Sequence, residues 1–228
     1  MVCIKKNSLE VHQIFKRIAP HYNLVNGLMT GGQDKHWRRE AIKLACLSPG
    51  DWLLDVGTGT GDLAFTAQQE QPLAHIVAAD FTMEMMQVGQ HRGCLQWLSA
   101  DALHLPFDDE TFDAVVSGFL MRNVEDVQVA LQEQYRVLRR GGRIVMLDTT
   151  RPYLNIFAPL SWIYLRFVIP LLGGVISGET DAYKYLSYST ECFLTAEQLA
   201  ERMARVGFHH IAYKRKMFGA IAIHWGEK

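Results

Sequence analysis

The chain has 228 residues, of which 49% are apolar and 21% are charged, and its formal net charge is −1. These values are ordinary for a globular protein, and this length fits one large domain. The balanced charge gives no overall attraction to nucleic acid, which is therefore not expected as a partner. The four cysteines form no CxxC pair and no zinc pattern, so no metal site is predicted.

The first 45 residues are predicted to be mainly helical. Apolar side chains recur at helical spacing over 12–19 and 35–46, and the segment 21–33 between them is predicted to be a turn-rich connection. The charged start of the chain is not followed by an apolar run, so no signal peptide is expected and the predicted location is the cytoplasm.

Residues 51–148 alternate between short apolar strands and helices. This alternation predicts an α/β fold with a parallel sheet and helices on both of its faces. The predicted strands are 51–56, 75–80, 95–101, 112–118 and 142–148, and the predicted helices are 61–69, 82–92 and 127–139.

The C-terminal third begins with a break in this rhythm. Residues 152–194 form a predicted helical insertion. A capping box of Thr195 and Gln198 then opens a helix that stops at Gly207. Two strand-like runs at the end of the chain, joined by a short link, predict an antiparallel hairpin.

Residues 153–175 are almost continuously apolar and approach the ~20 residues of a membrane-spanning helix. Arg166, Pro159 and Pro170 interrupt the segment, so a membrane span is not expected. An apolar lid over a pocket and an ordinary core helix both remain open.

The clearest local motif is the glycine-rich loop from Asp55 to Asp62, between a predicted strand and a predicted helix. A dinucleotide motif requires glycine at position 62, where Asp62 stands. A phosphate is disfavoured beside two carboxylates, which suit a ligand with positive charge. S-adenosylmethionine carries a sulfonium and an ammonium group and is therefore the predicted ligand. The alternative is a tight turn that binds no ligand.

Two further aspartates follow predicted strands. Asp80 comes about 20 residues after the glycine loop, where a carboxylate can accept both ribose hydroxyls. The alternative is a helix N-cap. Asp101 ends the next strand, and its position alone does not distinguish a ligand-binding residue from an ordinary loop residue. Ligands of open α/β sheets bind at the carboxyl ends of strands, where all these acids are expected.

Four segments of the chain together form a more specific pattern: LDVGTGTGDLA, SGFLMRNV, IPLLGGVISGETDAYKYL and the closing AIAIHWGEK. With these segments the chain resembles, from about Phe15 to Lys228, the ubiquinone/menaquinone biosynthesis C-methyltransferases of the UbiE type. This resemblance implies a single domain over 1–228 with a Rossmann-like class I methyltransferase fold. Its sheet would be seven-stranded and mostly parallel, with 1–45 as a helical cover and 152–194 as a lid.

The resemblance also implies an activity. It implies S-adenosyl-L-methionine as cofactor and transfer of its methyl group to a ring carbon of a polyprenylated quinol, with demethylmenaquinol as the leading candidate. Such a lipophilic substrate implies peripheral contact with the inner face of the membrane, and a homodimer is left open. The alternatives are a methyltransferase for another small aromatic acceptor, one for nucleic acid or protein, and a scaffold that only binds the cofactor.

The implied site consists of catalytic and cofactor-binding residues. Arg122 would stabilise a phenolate or orient a water, and Asn123 would position the ring hydroxyl. The alternative for Arg122 is a salt bridge with Asp148, the third implied catalytic residue. The cofactor-binding set is Asp55, Gly57, Thr58, Gly59, Thr60, Asp80, Phe81, Asp101, Ala102 and Ser117.

Several residues depart from the family pattern. Leu120 replaces a glycine before the MRN triplet, and Asp148 replaces a glutamate after the fifth strand. Both positions are expected near the acceptor ring. Thr30 and Asp34 stand where the family has serine and then histidine or glutamine.

Overall fold

The computed structural model of the chain describes residues 7–151 and 164–228. Residues 152–163, the first part of the predicted lid, lie outside the described residues.

A seven-stranded sheet forms the centre of the molecule. Its strands are β1 Trp52–Val56, β2 His75–Asp80, β3 Gln96–Ser99, β4 Phe112–Gly118, β5 Leu138–Thr149, β6 His209–Lys216 and β7 Ile221–Glu227. Their order in the sheet is β3-β2-β1-β4-β5-β7-β6, and β7 runs antiparallel to both of its neighbours while β1 to β5 are mutually parallel. The predicted mostly parallel sheet and its terminal hairpin are thereby confirmed.

Helices cover both faces of this sheet. They are α1 Ser8–Ile18, α2 Tyr22–Met29, α3 Asp34–Leu44, α4 Asp62–Glu70, α5 Met83–Gln90, α6 Val127–Val137, α7 Ile169–Ser177, α8 Thr180–Cys192 and α9 Ala196–Val206. Consecutive residues of a strand point to opposite faces, so Leu54 packs in one buried apolar cluster and Leu53 in the other. The first cluster includes residues of α6 and α9, and the second includes residues of α3 and α4.

The N-terminal helices form a third apolar cluster with α7 and α8. Ile18 and Val25 are fully buried there against Tyr183. Asn7 begins α1 with a capping box to Glu10. The predicted turn-rich connection over 21–33 is wrong in its first part, because Tyr22–Met29 is helical. The packing of Val25 stabilises this helix although it contains a glycine, which has low helix propensity.

Two boundaries also differ from the prediction. The helix predicted over 127–139 ends at Val137, and the next strand begins at once with Leu138 instead of residue 142. The pairing of Leu138 with Phe112 draws these residues into the sheet, so tertiary contact outweighs the local helical pattern. The capping box of Thr195 and Gln198 is present as predicted.

The described part of the insertion is helical. A π-helix over Tyr164–Val168 leads into α7, which packs against α8 and α2. None of the helices built from the described residues is long and apolar enough to cross a membrane.

Candidate active site

The glycine-rich loop joins β1 to α4 at the carboxyl edge of the sheet. Gly57, Gly59 and Gly61 all have positive φ angles, between 59° and 82°. A Cβ atom on Gly57 would lie 2.6 Å from Cδ1 of Leu120, so a larger residue cannot fit without movement there. The loop therefore presents bare backbone to the space above the sheet.

Asp80 holds this loop from the end of β2. Its Oδ2 accepts a hydrogen bond of 2.7 Å from the backbone N–H of Gly59, and its Oδ1 accepts one of 2.7 Å from that of Thr82. Burial raises the pKa of Asp80, and the two backbone donors oppose this rise. Asp80 thus combines the predicted ligand position with a local bond to the start of α5.

A cavity of about 120 Å³ lies beside Asp80, between the glycine loop and α1. Its wall brings together predicted cofactor residues from three strand ends: Gly57, Gly59, Asp80, Phe81, Asp101 and Ala102. Asp101 lies two residues beyond β3, and its Oδ1 accepts a 2.9 Å hydrogen bond from the N–H of Leu103. The wall contributed by α1 includes His12, whose ring meets Phe81 edge-on at 5.6 Å between centroids.

A smaller cavity of about 30 Å³ adjoins the loop on its other side, beside Asp55, Thr58 and Thr60. Asp55 is 1% exposed, and its Oδ2 accepts bonds from Thr58 Oγ1 at 2.6 Å and from the N–H of Ala64 at 3.1 Å. Its Oδ1 has no partner among the described residues. Burial raises the pKa of Asp55 to about 7. A buried acceptor without a partner fits a ligand that supplies a donor.

The second acid of the loop, Asp62, is neutralised by two arginines. Its carboxylate lies 3.2 Å from Arg38 Nη2 and 2.7 Å from Arg92 Nη1. Asp62 therefore contributes less free negative charge to the loop than its place in the sequence suggests. Arg38 also forms an ion pair with Asp34, and it lines the small cavity, where it can meet an anionic ligand group.

A third cavity of about 360 Å³ opens beside these two, with a largely apolar wall. Its residues come mainly from α2, α7, α8 and the segment 217–221 that leads into β7, and they include Met29, Ile169, Leu186, Met217 and Ile221. Arg122 and Asp34 supply its charged groups among the described residues. A concave, largely apolar space of this volume is typical of a small-molecule site.

Tyr22 and Phe119 line all three cavities and so mark the point where they meet. Burial raises the pKa of Tyr22, and Arg122 opposes this rise. The neighbouring Asn23 accepts a 2.7 Å hydrogen bond from Thr60 Oγ1, which joins α2 to the glycine loop.

The chain matches the family model for the ubiE/COQ5 methyltransferase family over residues 3–228. It belongs to that family. A protein of Desulfotalea psychrophila named ubiquinone/menaquinone biosynthesis C-methyltransferase is 44% identical over 96% of this chain and 90% of its own length. A demethylmenaquinone methyltransferase of Thermus thermophilus is 43% identical over 94% of this chain and 100% of its own length.

Solved structures agree on the fold. A SAM-dependent methyltransferase from Thermotoga maritima superposes with a TM-score of 0.68 at 20% identity, covering 96% of this chain and 99% of that one. A phosphoethanolamine N-methyltransferase of Haemonchus contortus in complex with S-adenosyl-L-methionine superposes with a TM-score of 0.60 at 15% identity. This match covers 80% of this chain and 49% of that one. The family member described here is therefore a SAM-dependent methyltransferase with a Rossmann-like fold.

The predicted catalytic residues of this methyltransferase occupy different places. Arg122 Nη1 lies 2.7 Å from Asp148 Oδ1, with side chains 6% and 2% exposed, so the salt bridge weighed in the sequence is present. Arg122 lines the apolar cavity, whereas Asp148 lies behind it and also accepts the N–H groups of Met121 and Thr149. Asn123 lines the cofactor-side cavity, and its Nδ2 donates to the carbonyl of Phe119.

Three parts of the site were not predicted from sequence. Arg38, Asp34 and Tyr22 enter it from α2 and α3, and no local motif marks them. Ser117, in contrast, was predicted to bind cofactor but lines none of the three cavities, and its buried hydroxyl has no partner among the described residues.

Metal-ligand geometry occurs elsewhere in the methyltransferase. His209, His210 and Glu227 offer ligand atoms that all lie within 4.8 Å of one another. They sit at the opposite edge of the sheet, where Glu227 pairs with Arg143 of β5, and the carboxylate of Glu227 already binds the Arg143 side chain at 2.7 Å. The predicted absence of a metal stays a prediction.

Proposed function

We propose that this methyltransferase transfers a methyl group from S-adenosyl-L-methionine to a ring carbon of a polyprenylated quinol, with demethylmenaquinol as the substrate. The observation that carries the proposal is the apolar cavity of about 360 Å³ that meets the cofactor-side cavities at Tyr22 and Phe119. A hydrophobic ring and the start of its prenyl tail match such a wall. Both named relatives support this substrate class.

The residues of the two smaller cavities fit S-adenosylmethionine. Asp80 would accept the ribose hydroxyls, and Phe81, Asp101 and Ala102 would surround the adenine in the 120 Å³ cavity. In the small cavity, the unpartnered Oδ1 of Asp55 would accept the ammonium group. Arg38 would bind the carboxylate there. When bound, the cofactor supplies a methyl group on a positively charged sulfur.

Arg122 provides positive charge in the wall of the apolar cavity. A quinol carbon becomes nucleophilic as its hydroxyl loses a proton, and a guanidinium stays protonated, so Arg122 would stabilise the resulting phenolate. Asp148 would act through Arg122 by fixing its orientation. Asn123 would position the ring from the side of the cofactor. The apolar wall excludes water, which strengthens these electrostatic interactions.

We further propose that the surface around this cavity contacts a membrane. Six of the ten large apolar side chains exposed among the described residues lie on α2, on the π-helix and α7, and on the turn before β7. These six are Leu24, Leu28, Phe167, Leu171, Val175 and Phe218. Exposed apolar side chains concentrated near a pocket mouth are typical of a lipid-facing surface.

The function is tested by incubating the protein anaerobically with labelled S-adenosylmethionine and reduced demethylmenaquinone, with product mass as readout. We expect one added ring methyl. The oxidised quinone is the matched control and should remain unmethylated, because it lacks the hydroxyl that makes the ring nucleophilic. Cofactor binding without methylation of the quinol would contradict this substrate and favour another small aromatic acceptor.

The membrane contact is tested by co-sedimentation with lipid vesicles. Leu171→Glu and Leu28→Glu should reduce the bound fraction, whereas Leu73→Glu, an exposed leucine between α4 and β2, should not. Equal sedimentation of all these proteins would contradict the proposed membrane surface.

A further inference from the structure

The apolar cavity contains a single carboxylate among the described residues that line it. Its ionisable side chains are those of Tyr22, Asp34 and Arg122. Asp34 is 5% exposed and stands in the first turn of α3. A carboxylate in an apolar wall is costly unless it is paired, so its presence there needs an explanation.

The other two ionisable groups are unsuited to remove a proton. Arg122 stays protonated and is already bound to Asp148. Burial raises the pKa of Tyr22, so its phenol keeps its proton around neutral pH. Asp34 is therefore the one described group in this wall that can accept a proton from a bound quinol.

The surroundings of Asp34 leave it able to do so. Its Oδ2 pairs with Arg38, and its Oδ1 lies 3.0 Å from Thr30 Oγ1. The Thr30 hydroxyl has one hydrogen and also lies 2.8 Å from the carbonyl of Asn26, so it donates to only one of the two. Each carboxylate oxygen can accept more than one hydrogen bond, and Oδ1 retains this capacity.

A purely structural part for Asp34 accounts for less. The ion pair with Arg38, four residues along α3, and the favourable helix N-terminus stabilise the carboxylate. Neither explains why the carboxylate lines the acceptor cavity itself. Both do explain how a charge can persist in a wall of apolar side chains.

We propose that Asp34 is the general base of the methylation, an inference that rests on the proposed function. The proton of the ring hydroxyl moves to a carboxylate oxygen of Asp34 as the ring carbon bonds to the methyl. The carbon–sulfur bond breaks, and its electron pair stays on sulfur. Loss of the proton from the methylated ring carbon to water leaves a methylated phenolate. Asp34 returns its proton to the phenolate oxygen, which restores the aromatic quinol and the free carboxylate.

The test compares Asp34→Asn with wild-type protein in single-turnover methylation of the quinol between pH 6 and 9. Asparagine keeps the size and a hydrogen-bonding oxygen but accepts no proton. We expect the rate at pH 7 to fall by about 10²–10⁴-fold, the usual contribution of a general base. The variant rate should then rise about tenfold per pH unit, because phenolate must come from solvent, while the wild-type rate changes much less.

Two further proteins make the result decisive. Asp181→Asn removes an exposed carboxylate of α8 that pairs with Lys184, and it should behave as wild type. Asp34→Glu retains a carboxylate and should keep the shallow pH profile of the wild type. This variant keeps the inference testable if Asp34→Asn does not fold. Cofactor affinity from calorimetry, expected to change less than threefold, reports whether each variant retains its site.

The inference is overturned if Asp34→Asn loses activity equally at every pH, since this indicates a positioning role, or if it loses none. A steep pH profile in Asp34→Glu overturns it as well. Failure of the proposed function is a different result, in which wild-type protein binds the cofactor but methylates no quinol at any pH.

Discussion

Arg122 and Asp148 form a buried ion pair across the carboxyl ends of β4 and β5, with 2.7 Å between Nη1 and Oδ1. The pair fixes a guanidinium against the acceptor cavity and leaves its Nε without a partner among the described residues. Asp148 also accepts two backbone N–H groups, which hold it in place. The arrangement supplies oriented positive charge with little freedom to reorganise.

Arg122→Ala is expected to lower kcat on the quinol by about 10²–10³-fold. This is the usual effect in enzymes of removing one hydrogen-bond donor that stabilises negative charge in the transition state. Cofactor affinity should stay unchanged, because Arg122 lines the acceptor cavity only. Calorimetry and steady-state kinetics measure the two effects. The thermal midpoint must be recorded too, since Asp148 becomes a buried unpaired charge. A parallel loss of cofactor affinity would contradict the separation of the two cavities.

Asp80→Ala is expected to abolish measurable cofactor binding. The carboxylate would otherwise accept two ribose hydroxyls, and two such charge-assisted bonds correspond to about 3–6 kcal/mol, or roughly 10²–10⁴-fold in affinity. Asp80→Asn, which keeps one acceptor oxygen, should give an intermediate value. Calorimetric titration measures all three proteins, and unchanged affinity in Asp80→Ala would remove this residue from the site.

Arg38→Gln is expected to weaken S-adenosylmethionine binding by about 10–100-fold, which corresponds to one lost hydrogen bond to a charged group. Methylthioadenosine lacks the carboxylate and should bind the variant and the wild type equally. The exposed neighbour Arg39→Gln is the matched control. An equal loss for both ligands would show that Arg38 supports the loop instead of binding the carboxylate.

Asp55→Asn is expected to stabilise the ligand-free protein above pH 7. Because burial raises the pKa of Asp55 to about 7, the folded state holds a proton that the unfolded state releases near pH 4. Stability is therefore lost as the pH rises between these values, by an amount on the order of 4 kcal/mol at most. Asparagine lacks this titration and can place its oxygen where Oδ2 accepts its two bonds.

Thermal midpoints of wild type and Asp55→Asn at pH 5 and pH 8 measure this effect. The difference between the two proteins should be larger at pH 8. Asp181→Asn, on an exposed position, should show no such change. A difference that is independent of pH would mean that the wild-type carboxylate does not titrate in this range.

Much of the fold follows from local pattern. Strand–helix alternation and the capping box of Thr195 and Gln198 are properties of neighbouring residues, so the sequence predicts them. The helix over Tyr22–Met29 does not follow, because it depends on packing against α7 and α8. The early start of β5 depends likewise on pairing with β4.

The candidate site divides in the same way. Asp55, Asp80 and the glycines follow strands at recognisable spacing, and the structure brings them to the walls of neighbouring cavities. The neutralisation of Asp62 by Arg38 and Arg92 joins residues more than 20 positions apart, which no local motif records. The spacing in the sequence therefore predicts where the carboxylates lie, but only the fold shows which of them are neutralised by arginine.

The hydrogen bond between Asn23 and Thr60 has a practical consequence for engineering. Since α2 also contributes Tyr22 to all three cavities, a chimaera that exchanges the first thirty residues between relatives would exchange part of both binding sites. A graft intended to alter acceptor choice should therefore take α2 and the glycine loop from the same parent protein. Its crossover belongs before Ser8 or after Gly61.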